Sequence, residues 1–158
     1  MQRQTPPETI ALTPAGRAAL EQELHHLRNE QLPALARRLA EAREDSATRE
    51  EDAGLLELQE EQHRAGSRAV ELDRLLSMAR EIASSTTGVV ALGSRVEIEG
   101  DGERDAFQLV DPHEANASEG RISVASPVGK ALLGHSAGDD VLVPLPAGER
   151  RLRLVSLS

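Results

Sequence analysis

Positions 55, 58, 62, 65, 69, 72, 76 and 79 advance by alternating threes and fours and hold Leu, Leu, Gln, Ala, Ala, Leu, Leu and Ala. A seam of that period belongs to a helix that lies along another helix, and its central alanines let the partner approach closely. The partner is upstream. Thr13-Pro14 reads as a helix start, with Thr13 able to cap and Pro14 at the first helical position, where no N–H is needed. Leu20, Leu24 and Leu27 then form one apolar stripe, which slips and resumes as Leu32, Leu35, Leu39 and Ala42. A proline inside a helix removes one hydrogen bond and bends the axis, so Pro33 predicts a kink near Gln31 to Pro33. The expected fold of residues 1–83 is an antiparallel coiled-coil hairpin, about 45 Å long at 1.5 Å per residue.

Charge is concentrated where the two helices meet. Residues 41–61 carry nine carboxylates against Arg43 and Arg49 alone, a net −7 of the chain's −9. Clustered carboxylates repel one another, so something outside the chain must relieve them, a divalent cation or a basic cavity. The hairpin should therefore end in an acidic tip near 44–54, with Asp45, Glu50, Glu51 and Asp52 as candidate metal ligands. Part of this charge has a structural explanation. Acids in the first turn of a helix are favourable, and Thr48-Arg49-Glu50-Glu51 fits a capping box in which Glu51 reaches back to Thr48. A cap needs one or two acids, fewer than stand here. Leu55 lies on the seam and reads as core, whereas Leu56 is off it and is either plain helix surface or an exposed contact.

Ser84 to Gly88 ends the helical pattern and looks like a linker. From residue 89 the period becomes two. Val89 to Leu92, Arg95 to Glu99, Phe107 to Val110, Arg121 to Val124, Val141 to Leu145 and Leu152 to Leu157 are expected strands. One short helix is predicted over Pro127 to Leu133, with Ser126 as cap and Gly134 as stop. Residues 89–158 are thus expected to form a small domain with an antiparallel sheet, and the chain as a whole is of the α+β class. Arg150, Arg151 and Arg153 read as a solvated strand edge. His25, His26, His63 and His135 stand at no metal-ligand spacing with acids and read as surface histidines.

Composition narrows the function. Aromatic residues are 1% of the chain, Phe107 alone, so the core must be aliphatic and stacking on nucleic-acid bases is unsupported. The net −9 disfavours direct phosphate binding, so nucleic acid should be met only through a protein partner. The absence of cysteine excludes disulfides and thiolate metal sites. No stretch approaches the ~20 apolar residues of a membrane span and the N-terminus has no apolar leader, so a cytoplasmic protein is expected.

Ser126-Pro127-Val128-Gly129-Lys130-Ala131-Leu132-Leu133-Gly134-His135, followed by Gly138-Asp139, resembles the C-terminal signature of the bacterial GreA/GreB transcript-cleavage factors. Gly93-Ser94-Arg95-Val96 looks like that family's first C-terminal strand, and Leu12-Thr13-Pro14-Ala15-Gly16 with Leu20, Glu23, Leu24 and Leu27 is similar to its opening helix. The resemblance spans about residues 10 to 157 and implies an FKBP-like globular domain behind the coiled coil. It implies bacterial RNA polymerase as partner, with the globular domain at the rim of the secondary channel and the hairpin reaching toward the catalytic magnesium. It implies no cofactor of the factor's own. In cleavage-stimulating members a tip resembling Asp-Leu-Ser-Glu-Asn-Ala-Glu-Tyr helps hold a second metal, while the cutting chemistry belongs to the polymerase.

The tip of this chain departs from that motif. With Glu51-Asp52-Ala53 aligned on Glu-Asn-Ala, Thr48 stands at the metal-binding Asp, Gly54 at the second Glu and Leu55 at the Tyr. A hydroxyl is a weak ligand for a hard cation. The run Asp52-Ala53-Gly54-Leu55 is more similar to the anti-Gre branch of the Thermus and Deinococcus lineage, whose members inhibit transcription or favour pausing. The expectation is a monomeric, non-enzymatic regulator of the polymerase, docked through Ser126, Pro127, Val128, Gly129 and Lys130. The alternative is a cleavage stimulator that rescues backtracked polymerase. A prolyl isomerase is disfavoured, since Phe107 alone cannot line an aromatic pocket.

Overall fold

The structure is a computed structural model that describes residues 10–45, 49–83 and 87–158, with the side chains of Asp45 and residues 49–52 left out of the description. The chain divides into two compact units, Arg17–Ala79 and the described residues of 10–16 with 80–158.

The helical unit holds most of α1 (Pro14–His26), a π-helical turn (Leu27–Gln31), α2 (Leu32–Asp45) and α3 (Arg49–Met78). The expected seam is the buried one: Ala65, Ala69, Leu72 and Leu76 are buried, and Leu55, Leu58, Gln62 and Ala79 are half-buried. Leu27, Leu35 and Leu39 are buried on the facing side. Ion pairs cross between the two arms, and the pairs Arg38–Glu61 and Arg28–Asp73 run in opposite chain directions, as an antiparallel hairpin requires. Arg38 meets Glu61 at 4.0 Å, Arg28 meets Asp73 at 3.1 Å, and Arg68 grips Glu23 at 2.7 and 3.1 Å. Those bonds to Glu23, more than the added bond to Glu71, hold the Arg68 guanidinium more firmly protonated than usual.

The slip in the first stripe is the π turn. Between Leu27 and Leu32 the apolar step is five, and the Leu32 N–H donates to the Leu27 carbonyl. Pro33 has no N–H to give to the carbonyl four residues before it, and its ring would crowd that carbonyl. One extra residue in the preceding turn relieves the conflict and keeps Leu32, Leu35 and Leu39 on the buried side.

The second unit is built on a five-stranded sheet of order β5-β4-β3-β7-β6, formed by β3 (Arg95–Gly100), β4 (Glu103–Val110), β5 (Arg121–Ser123), β6 (Asp140–Leu145) and β7 (Gly148–Leu157). The pairs β3/β4, β3/β7 and β6/β7 are antiparallel. The expected all-antiparallel sheet needs one correction, because β4 and β5 pair in parallel. The chain crosses between them through two one-turn 3₁₀ helices, Pro112–Glu114 and Ala117–Glu119, instead of turning back as a hairpin. Val89 to Leu92 forms no strand. Val90 instead exchanges backbone bonds with Gly134 and His135, and Gly93 takes φ 90°, which ends the segment in a bend. The core is aliphatic as expected, with Val96, Ile98, Leu109, Leu132, Val141, Val143, Leu152 and Leu154 buried and Phe107 only partly so. Arg151 and Arg153 lie on β7, an inner strand between β3 and β6, so they occupy an exposed sheet face and not an edge strand.

A second, two-stranded sheet was not foreseen. β1 (Ala11–Leu12) and β2 (Arg80–Glu81) pair in parallel, one just before α1 and the other just after α3. Residues 10–16 and 80–83 therefore belong with the globular unit, and the division differs from the expected boundary at 83. Of the expected linker, residues 84–86 lie outside the described residues.

Candidate acidic tip and docking segment

Asp45 closes α2, and Glu50, Glu51 and Asp52 fall in the first turn of α3. The backbone thus brings the four candidate ligands to the facing ends of two adjacent helices. Their side chains, and the proposed cap Thr48, lie outside the described residues. Among the described residues no group of three or more His, Asp or Glu is placed to hold a metal.

The helix ends bear on why these acids are there. Glu50, Glu51 and Asp52 sit at a helix N-terminus, where partial positive charge favours them. Glu44 and Asp45 sit at a helix C-terminus, where the same dipole opposes them, and only Arg43 accompanies them in that last turn. Helix physics accounts for the first group and works against the second. Four carboxylates within eight residues offer hard oxygen donors of the kind magnesium takes, and sharing the cation would relieve their mutual repulsion.

The described surface next to the tip is open. Leu55 is half-buried, as the seam requires, while Leu56 is 58% exposed. A groove of about 390 Å³ runs beside the seam, lined by Arg38, Ala42, Gly54, Leu55, Leu58 and Glu61. Nothing lies within 4 Å of the place a Cβ would take at Gly54. Packing therefore does not demand glycine there, although glycine weakens a helix.

The expected docking segment is explained largely by folding. Ser126 caps α4 (Pro127–Leu132) by accepting from the Gly129 N–H at 3.0 Å, and its hydroxyl donates to the Ser123 carbonyl at 2.6 Å. Pro127 occupies the first helical position. Gly129 is buried so closely that an added Cβ would strike the Ser123 carbonyl and the Val124 Cα. Val128 is half-buried against the core. Lys130 is exposed and has no ion-pair partner among the described residues. Of the five, Pro127 and Lys130 are the two whose side chains are open to a partner.

Three histidines have acidic neighbours among the described residues, His113 Nδ1 lying 2.6 Å from Asp111. His26 meets Glu30 at 3.0 Å, and His135 Nδ1 lies 3.3 Å from Asp139. The Asp139 carboxylate accepts the Ser136 N–H at 2.8 Å. That bond first, and His135 second, hold its pKa below the usual aspartate value. Sequence reasoning also missed Glu114, a buried carboxylate in the globular unit, for which no local pattern gives a signal.

With this geometry in hand the matches to known proteins are direct. Residues 10–80 match the family described as "Transcription elongation factor, N-terminal", and residues 85–158 match "Transcription elongation factor, GreA/GreB, C-term". The chain belongs to the GreA/GreB family. Among its GreA/GreB relatives, the transcription elongation factor GreA of Ruegeria pomeroyi is 36% identical over 153 residues, covering 95% of this chain and 97% of the relative. The transcription inhibitor protein Gfh1 of Thermus thermophilus is 39% identical over 152 residues, covering 94% of this chain and 96% of the relative. A crystal structure of GreA factor homolog 1 from Thermus thermophilus is 37% identical, covers 95% of this chain and 99% of that one, and superposes with a TM-score of 0.45. No helix among the described residues is long and apolar enough to cross a membrane.

Proposed function

We propose that this GreA/GreB-family protein binds bacterial RNA polymerase at its secondary channel and slows or halts elongation through the acidic tip. The relatives' names stand on both sides, elongation factors and an inhibitor, so the reading rests on the tip. The observation that carries it is the placement of Glu44 and Asp45 at a helix C-terminus, opposed by the dipole and therefore not there to stabilise the hairpin. Thr48 standing where cleavage-stimulating tips have aspartate supports the same side. Asp45, Glu50, Glu51 and Asp52 offer oxygen ligands to the polymerase's catalytic magnesium in a non-productive arrangement, and the hairpin itself obstructs the channel. The globular unit docks through α4, with Pro127 and Lys130 as its open contacts. The protein works as a monomer in the cytoplasm, catalyses no reaction itself and meets nucleic acid only through the polymerase.

Single-round elongation on a defined template, over magnesium and manganese series, tests this. Saturating factor is expected to lower the rate, more strongly with one ion than the other. Replacing Asp45, Glu50 and Asp52 by their amides should weaken inhibition on the order of ten-fold, equivalent to about 1.4 kcal/mol, with a much smaller change in polymerase affinity. Intact inhibition in that variant would mean a steric plug whose charge is incidental.

The second reading, a stimulator of transcript cleavage, draws on the many relatives that carry the GreA name, several at 36–39% identity. Faster RNA shortening in stalled, backtracked complexes would establish it in place of the first.

A further inference from the structure

The two arms of the hairpin leave a groove between them just behind the tip, and it lies wholly within the helical unit. Its volume is about 390 Å³, within the range of about 300–1,000 Å³ common to ligand pockets. Ala42 of α2 and Gly54 of α3 line it with almost no side chain, while Leu55 and Leu58, both half-buried, line it with aliphatic carbon. The other lining residues are charged. Glu57 and Glu61 stand three and seven positions after Gly54, so all three share one line along α3. Glu57 has no ion-pair partner among the described residues. Glu61 meets Arg38 at 4.0 Å, with both side chains well exposed, and such a pair holds its partners weakly.

Glycine at position 54 costs the hairpin twice. It weakens the helix relative to alanine or leucine, and it leaves unfilled a space where nothing stands within 4 Å of an added Cβ. A larger residue would cover Leu55 and Leu58 and add contacts. An open apolar groove is what the glycine provides in exchange.

We propose that this groove receives an aliphatic side chain from a basic segment of the polymerase, with Glu57 and Glu61 pairing with cations beside it. The leucines select the side chain. The two glutamates, and the net −7 of residues 41–61 around them, select the charge of the segment that carries it. The contact is separate from the metal-directed acids, since Asp45, Glu50, Glu51 and Asp52 do not line the groove. The identity of the partner rests on the polymerase reading above; the chemistry of the groove does not.

The test uses the full chain and, as probe, an amphipathic helical peptide of leucine and lysine, followed by NMR at the Gly54, Leu55 and Leu58 amides. These signals are expected to shift saturably. Gly54→Leu, which fills the groove, should weaken binding of the peptide about ten-fold and leave thermal melting unchanged or higher. Glu57→Gln combined with Glu61→Gln should weaken it several-fold, and a leucine–glutamate peptide of the same pattern should not bind. Gly66→Leu makes the same change in α3 away from the groove, where an added Cβ also meets nothing, and should leave affinity as it was. Shifts spread over the whole acidic end and indifferent to Gly54→Leu would mean general charge attraction and overturn the proposal, as would no binding. Should Gly54→Leu not fold, Ala42→Leu fills the groove from the other arm and is judged alike. In elongation assays Gly54→Leu should weaken the factor's effect several-fold. If the parent binds the peptide in the groove yet leaves the polymerase unaffected, the polymerase reading fails and the groove stands; if the peptide misses the groove while the parent slows elongation, the reverse holds.

Discussion

The proposed docking segment and the acidic tip carry opposite relations between residue and fold. In α4 nearly every conspicuous residue serves the fold itself. Ser126 caps, Pro127 starts the helix, and Gly129 admits the neighbouring chain at Ser123 and Val124. At the tip, Asp45 sits against the helix dipole and Gly54 occupies a helix with open space around it. The most recognisable motif in the sequence is thus mainly a folding motif. The region whose residues the fold explains least is the better place to look for function.

Substitutions can break this contrast. The largest effect is expected at Gly129. Gly129→Val should destabilise the globular unit by about 3 kcal/mol, because the backbone at Ser123 and Val124 must move, and thermal melting would reveal it. A variant that melts like the parent would remove the packing account of α4. Ser126→Ala should cost about 1 kcal/mol through loss of the cap, and Lys130→Ala should cost nothing measurable, so reduced polymerase affinity in the latter would reflect contact alone.

At the tip the sign should reverse. Gly54→Ala is expected to stabilise the hairpin by up to about 1 kcal/mol, through helix propensity with no steric penalty. Asp45→Asn should stabilise it by about 0.3 kcal/mol, by removing a charge the dipole opposes, while weakening inhibition. Chemical denaturation of the two proteins decides the matter; a loss of stability in either would return the tip to the structural side. The smallest effect concerns Asp139. Its pKa is lowered in the fold, so its contribution is present above the unfolded aspartate pKa and is lost as pH falls through the folded one. An NMR titration should place its midpoint below that of a free aspartate.

Much of this was legible in the sequence. The α3 seam was readable because every burial step is local to one helix. The five-residue step from Leu27 to Leu32 was equally visible, but Pro33 drew attention to a bend, and the π turn is how the helix accommodates both. Val89 to Leu92 misled because a short apolar run does not say whether its backbone bonds go to a strand or, as here, to the loop at Gly134 and His135. The parallel pairing of β5 was hidden because turn residues mark where a chain bends, not the direction in which it returns. Glu114 was hidden for a simpler reason: its partner Thr13 is 101 residues away. The tip acids stood out through charge and a capping-box pattern that already put Glu50 and Glu51 at a helix start, whereas the place of Glu44 and Asp45 in the last turn of α2 emerged only with the helix boundaries.

The parallel ribbon of β1 and β2 has a consequence for the chain's modularity. The polypeptide departs for the coiled coil and comes back at neighbouring strands, so residues 17–79 are an insert spliced into an otherwise continuous domain. Inserts bounded in this way can be traded as cassettes. The arm of one factor could be grafted onto the body of another, giving the same dock a different tool.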